Sequence, residues 1–255
     1  MLVEMRLSRQ SGQEVNARRE GQGILDMRGL CGLEEGVVTM VRVVMLSPPG
    51  GGKGTHGRWL TQRTGAAHIS SGDLLRAEVA CGSDLGRQVA AYTARGDLVP
   101  DELIISILIP AVVAAARDTG GYVLDGFPRT MPQALRAAQL GAELNLTSDV
   151  VIYLTAPEEE LVTRLLDRAQ RDGRVDDTLD VIRHRLAVFT RETAPLVDYY
   201  RGRGILLELS TDRPEADVRA DLWDRLEARG LMLSAAEGSR AVPGGTSANN
   251  DTADR

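Results

Sequence analysis

The residues best suited to chemistry lie in "SPPGGGKGTH", Ser47 to His56. Gly50, Gly51, Gly52 and Gly54 surround Lys53, and Thr55 follows. A glycine-rich turn lets successive backbone N–H groups point inward around an anion. A helix beginning just after the turn adds the partial positive charge of its N-terminus at the same point. Lys53 then reaches the outer phosphates of a nucleoside triphosphate, and Thr55 offers a hydroxyl to a phosphate-bound metal. The strict pattern for such loops is G-x-x-x-x-G-K-[ST], and this chain departs from it. Ser47 stands for the first glycine, and Gly54 separates Lys53 from Thr55. Composition nevertheless singles the lysine out. Among 30 lysine and arginine residues, Lys53 is the only lysine. A lysine kept in so arginine-rich a chain marks a place for a compact point charge that a planar guanidinium does not replace.

A second candidate is "GYVLDGFPRT", Gly121 to Thr130. It reads as a buried strand ending in Asp125. An acidic residue at the end of such a strand holds Mg²⁺ through water in phosphate-loop proteins. Gly126, Phe127, Pro128 and Arg129 place an arginine just beyond the strand's carboxyl end, where open α/β sheets bind ligands. The two cysteines, Cys31 and Cys81, are far apart and fit no metal-ligand spacing, which argues against zinc.

The elements that would position these residues alternate along the chain. Short, apolar, β-branched runs predict strands at Val41–Leu46, Ala67–Ile69, Tyr122–Leu124, Val150–Leu154 and Ile205–Leu209. Helices are predicted to follow Lys53, Asp73, Asp84, Asp101, Met131, Pro157, Asp176 and Pro214; several of these are residues that start helices. Such alternation implies an α/β fold, a parallel sheet with helices on both faces. Residues 1–39 lack the apolar stretch of a signal peptide and are expected to be a disordered leader, with the folded domain spanning 40–232. Residues 233–255 are small, polar and punctuated by Gly and Pro, and are expected to form a disordered tail. Hydrophobic residues make up 43% of the 255-residue chain, enough for a sizeable core. A net charge of −6 argues against a nucleic-acid surface, and no apolar run approaches a membrane span.

Together these blocks resemble the adenylate kinases, within the nucleoside monophosphate kinases. The resemblance runs from about Val41 to Gly230. It rests on "PPGGGKGT", "HISSGDLLR", "GDLVPDELI", "LDGFPRT" with Gln133 after it, "GRVDD" and "RLAVFTRETAPLVDYY", in that order. It implies a P-loop fold with a five-stranded parallel sheet, a helical monophosphate-binding flap at about 70–99 and a short lid at about 168–175. It further implies reversible transfer of the terminal phosphoryl group of MgATP to AMP, giving two ADP, in a cytoplasmic monomer that serves nucleotide homeostasis. By the same resemblance, Gly50 to Thr55 cradle the triphosphate. Ser71 lies near the AMP, Arg76 holds its phosphate, and Asp97, Leu98 and Val99 meet its adenine. Gly126, Phe127, Pro128 and Arg129 form a second phosphate clamp, and Gln133 reads the AMP base. Arg164 and Arg168 frame the lid beside the donor nucleotide, and Arg213 passes the donor adenine. Arg174 and Arg185 reach the transferred group and the acceptor. Lys53, Arg129, Arg168, Arg174 and Arg185 are thus the residues expected to act in catalysis. Thr55 and Asp125 are those expected at Mg²⁺.

This division of labour suits the chemistry. Charge spreads over the transferring oxygens in the transition state, so position and fixed positive charge matter more than a base. Arginine supplies planar, bidentate phosphate contacts. Arg171 is taken as a solvated surface charge, and Asp176 and Asp177 either as helix caps or as carboxylates that orient the lid arginines, neither acting as a base. Ser47 is expected at the strand exit, ahead of the cradle, and His56 as a helix-surface or packing residue. Only "AQRDG" separates Arg168 from Arg174, too short for a zinc-binding lid. Alternatives are a UMP or CMP kinase, a nucleotide-binding adaptor without catalysis, and a phosphate-loop NTPase switch. Gln133 favours adenine over the pyrimidines, and "GFPRT" is unexplained by a switch.

Overall fold

The computed structural model describes residues 41–172 and 178–231. The expected leader, the expected tail, Arg174 and the pair Asp176 and Asp177 lie outside the described residues. The elements run β1 (Arg42–Leu46), α1 (Lys53–Thr64), β2 (Ala67–Ser70), α2 (Ser71–Cys81), α3 (Asp84–Arg95), α4 (Asp101–Thr119) and β3 (Tyr122–Asp125). They continue with α5 (Met131–Glu143), β4 (Val150–Thr155), α6 (Glu158–Asp172), α7 (Leu179–Val188), a π-helical turn (Phe189–Thr193), α8 (Pro195–Gly202), β5 (Leu206–Ser210) and α9 (Glu215–Ala228).

The strands form one five-stranded sheet in the order β2-β3-β1-β4-β5. Every pairing is parallel, with Met45 opposite both Asp125 of β3 and Ile152 of β4. Successive strand side chains point to opposite faces, so a strand covered on both sides must be apolar throughout. β1 meets that requirement. Val43 and Met45 join one buried cluster with Leu60 of α1 and Leu222 of α9. Val44 and Leu46 join the other, with Leu75, Leu108 and Phe127. A third, smaller cluster joins Leu161 and Leu165 of α6 to Ile182 and Leu186 of α7. The expected fold class, an α/β P-loop architecture with a five-stranded parallel sheet, is the one observed.

β5 is an edge strand, and its outward carbonyls are covered. Arg229 donates to the Leu206 carbonyl at 2.6 Å and Arg225 to the Glu208 carbonyl at 3.0 Å. Carbonyls two residues apart on the strand are met by arginines four residues apart, Arg225 on α9 and Arg229 at its C-terminal cap, which blunts an edge that would otherwise pair with another strand.

Several boundaries differ from expectation for local reasons. α2 starts at Ser71 rather than after Asp73, because the Ser70 hydroxyl caps it by accepting from the Asp73 N–H at 3.2 Å. The cap of α7 is Thr178, whose hydroxyl accepts from the Val181 N–H, rather than Asp176 or Asp177. α8 was not anticipated. A π-helical turn carries the chain from α7 into it, and Pro195 takes the first helical position. The segment expected to open the lid is still helical, since α6 continues through Asp172.

Candidate active site

The carboxyl ends of β1 and β3 open into a cleft of about 1060 Å³. That exceeds the usual volume of a pocket for one drug-sized ligand, about 300–1000 Å³. The phosphate-type loop forms its floor. Gly50 and Gly52 have φ of 82° and 87°, a left-handed conformation that favours glycine. A Cβ at Gly50 would also lie 2.7 Å from the Leu161 carbonyl oxygen, because α6 packs directly against the loop. α1 begins at Lys53 with no side-chain cap and no acidic residue in its first turn. Every other described helix has a side-chain cap, an acidic first turn or both. The uncompensated N-terminal charge of α1 faces the cleft, which is where an anion is favoured.

Lys53 is held by the start of its own loop. Its ammonium donates to the Ser47 hydroxyl at 2.9 Å, the Ser47 carbonyl at 3.0 Å and the Pro48 carbonyl at 3.4 Å. The Ser47 hydroxyl in turn donates to the Pro48 carbonyl at 2.7 Å. Ser47 is buried and is not among the residues with positive φ. Serine therefore costs the backbone nothing here and supplies a lysine contact that glycine lacks. Burial pulls the Lys53 ammonium down to about 8; Asp125 opposes the shift, and Arg129 and Arg168 reinforce it. Lys53 is thus electrostatically joined to residues from β3, the following loop and α6.

The opposite wall is built around Arg129. Its Nε donates to the Gly126 carbonyl at 2.7 Å. Its N–H donates to the Gln133 side-chain oxygen at 2.8 Å, and its carbonyl accepts from the Thr193 hydroxyl at 2.7 Å. Arg129 is exposed where it lines the cleft. Desolvation lowers its affinity for the proton, Asp125 opposes that, and Arg185 and Arg76 reinforce it. Arg76 itself is paired with Asp73 one turn earlier on α2. Ser71 lines the same wall, and its hydroxyl is buried without a hydrogen-bond partner in the protein. Such an orphaned hydroxyl is uncommon in folded proteins and points to a ligand.

The structure brings almost all the expected residues to this one cleft. Its lining includes the loop Gly50–Thr55, Ser71, Arg76, Asp97, Leu98, Val99, Asp125, Gly126, Pro128, Arg129, Gln133, Arg164, Arg168, Arg185 and Arg213. Phe127 is the exception. It is buried in the core cluster beneath the loop and does not line the cleft, because an aromatic ring between Gly126 and Pro128 gains more from burial than from facing phosphate. Arg164 and Arg213 reach the cleft with their guanidinium groups engaged in the protein. Arg164 pairs with Glu160 and donates to Thr211 at its hydroxyl and carbonyl, 3.2 and 2.9 Å away. Arg213 pairs with Asp221 and donates to the Ser210 carbonyl. Arg164 fastens the β5–α9 loop to α6 and Arg213 fastens the same loop to β5 and α9, and so they shape the donor side as a wall.

Arg171 is exposed, as expected, and also lines the cleft. It follows Arg164 and Arg168 at helical spacing on α6, so one helix face carries all three; that spacing was the available signal for its place at the cleft. His56, expected as a helix-surface or packing residue, is the latter: it is buried, lies 3.2 Å from where a Cβ at Gly52 would sit, and burial is the main cause that lowers its affinity for a proton. Among the described residues no cluster of three or more His, Cys, Asp or Glu could hold a metal ion, and no helix is long and apolar enough to cross a membrane.

The family model for adenylate kinase matches residues 45–205. Among curated proteins, the chain is 41% identical over 189 residues to the adenylate kinase of Thermobifida fusca, covering 74% of this chain and 100% of that one. It is 44% identical over 183 residues to the adenylate kinase of a Cyanothece species, covering 72% of this chain and 93% of that one. The Bacteroides fragilis adenylate kinase is 42% identical over 165 residues, covering 65% and 87%. The matched span carries both walls of the cleft, from the Lys53 loop through Arg129 to Arg185, and the chain belongs to the adenylate kinase family.

Proposed function

We propose that this protein transfers the terminal phosphoryl group of MgATP to AMP, reversibly, giving two ADP. The observation that carries the reading is a single cleft with two unlike cationic walls. The Lys53 loop and α6 form one, and Ser71, Arg76, Arg129 and Gln133 form the other. In this reading ATP lies along the first wall, with its phosphates on the amides of Gly50–Thr55 and on Lys53. Arg164 and Arg213 shape the pocket for its base. AMP lies along the second wall, its phosphate between Arg76 and Arg129 and its adenine against Leu98, Val99 and Gln133. Arg168 and Arg185, from opposite sides, stabilise charge on the transferring oxygens, and Arg174 joins them from outside the described residues.

Mg²⁺ would come with ATP. Asp125 at the end of β3 and the exposed hydroxyl of Thr55 fit a hard cation that takes most of its oxygens from phosphate and water. When bound, the ion neutralises phosphate charge; the chain's own groups place the two nucleotides in line and exclude water. The flap at about 70–99 and the short lid at about 168–175 are the segments that would close over them. The reading takes the protein to be a monomer and places it in the cytoplasm. A coupled assay with MgATP and each nucleoside monophosphate tests the proposal. AMP should be by far the best acceptor; UMP or CMP turning over faster, or ATP hydrolysis without an acceptor, overturns it.

Gln133 provides a finer test. Its amide is buried between the Arg129 N–H and Asp101, to which it donates at 2.8 Å. One amide N–H and one oxygen lone pair remain for an adenine edge. Gln133→Leu should weaken AMP binding by roughly 1–3 kcal/mol, because polar groups on both sides lose their partner. ATP binding should change little. Equal loss for both nucleotides would remove Gln133 from the acceptor site.

A further inference from the structure

The end of the flap touches α7 at a point the mechanism above does not use. Gly96, with φ of 77°, turns the chain there, and a Cβ on it would lie 2.9 Å from Arg185 Cγ and 3.3 Å from Val181. Beside this close approach His184 Nε2 lies 2.9 Å from Asp97 Oδ1. The other oxygen of Asp97 accepts from Arg95 Nε at 2.8 Å. Asp97 begins the stretch assigned to the acceptor base, and Arg185 follows His184 directly. One side-chain pair therefore ties the acceptor wall to the helix that carries a phosphate-facing arginine.

We infer that His184 is a positioning residue for the acceptor. Through Asp97 it holds the Asp97–Val99 stretch against α7 and fixes that stretch relative to Arg185. The inference rests on the proposed AMP site. A hydrogen bond to a charged group is roughly twice as strong as a neutral one. Asp97 supplies that charge: the hydrogen bond from Arg95, and then that from His184, hold its carboxyl below the usual carboxylate range.

The test is the KM for AMP and for ATP in wild type, His184→Ala and His184→Lys. For an exposed pair the expected effect is about two- to fivefold. His184→Ala should raise the AMP KM by that factor, and His184→Lys, which keeps a donor for Asp97, should restore most of it. The ATP KM should not distinguish the proteins. In an Asp97→Asn background, the His184→Ala effect should vanish. Equal AMP KM for wild type and His184→Ala overturns the inference, as does a difference that appears equally for ATP or persists in the Asp97→Asn background. Absence of AMP-dependent ADP formation would instead overturn the proposed function.

Discussion

Lys53→Met should lower the rate of phosphoryl transfer by on the order of a thousandfold or more while making the unliganded protein more stable. The loss follows from removing a fixed cation aimed at developing charge in an enclosed site. The gain follows from the position of the ammonium in the folded chain, where burial pulls it from 10.5 down to about 8. The unfolded chain binds more protons than the folded one between those values, so stability should rise as pH goes from about 8 to 10.5. Below that window the buried charge is a constant cost on the order of 3 kcal/mol. Lys53→Met removes the cost, less whatever its loop contacts return. Urea unfolding of both proteins at pH 7 and pH 10 should show the variant's advantage shrinking at the higher pH. Lys53→Arg should also lose most activity. The ammonium sits between the Ser47 hydroxyl and carbonyl at 2.9 and 3.0 Å, a space that a guanidinium exceeds. Near-normal turnover in the arginine variant would contradict the reading of the lone lysine, and a stability difference independent of pH would contradict the burial cost.

The second large effect concerns both walls at once. A mimic joining two adenosines through a phosphate chain should raise the thermal midpoint far more than ATP or AMP alone. Its second half binds at high effective concentration once the first is seated. At a thousandfold excess over Kd the stabilisation is about 4 kcal/mol, which for a domain of this size is roughly 8–16 °C. Arg168→Ala should shrink the shift from the donor side. Arg76→Ala should shrink it from the acceptor side, because the proposed reading sets the AMP phosphate on Arg76. If the mimic stabilises no better than ATP and Arg76→Ala makes no difference, the cleft holds one nucleotide rather than two.

Much of the architecture and site was legible in advance, and the misses share a cause. Strands with apolar residues on both faces announce a covered parallel sheet, so the core of every expected strand appears within a residue of its predicted place. The Lys53 loop and "LDGFPRT" were legible because their chemistry lies in consecutive residues at the ends of β1 and β3. α8 was hidden because the chain passes into it through a π-helical turn without the break that marks a new helix. Phe127 was misplaced because a contiguous motif does not say which of its side chains turns inward.

By itself the sequence determined the order of strands and helices, the anion-binding loop, and which arginines were available. These depend on local periodicity, on backbone freedom at glycine and on helix-start residues, all set within a few positions. Only the tertiary structure decided what each polar side chain is committed to. Gln133 is engaged by Asp101, 32 residues away; Arg164 by Thr211, 47 away; His184 by Asp97, 87 away. Hydrogen bonds and ion pairs act over a few ångströms, and the distances between such groups are set by how the elements pack. Whether an arginine at the cleft meets phosphate or fastens the wall therefore follows from the fold, and not from its place in the chain.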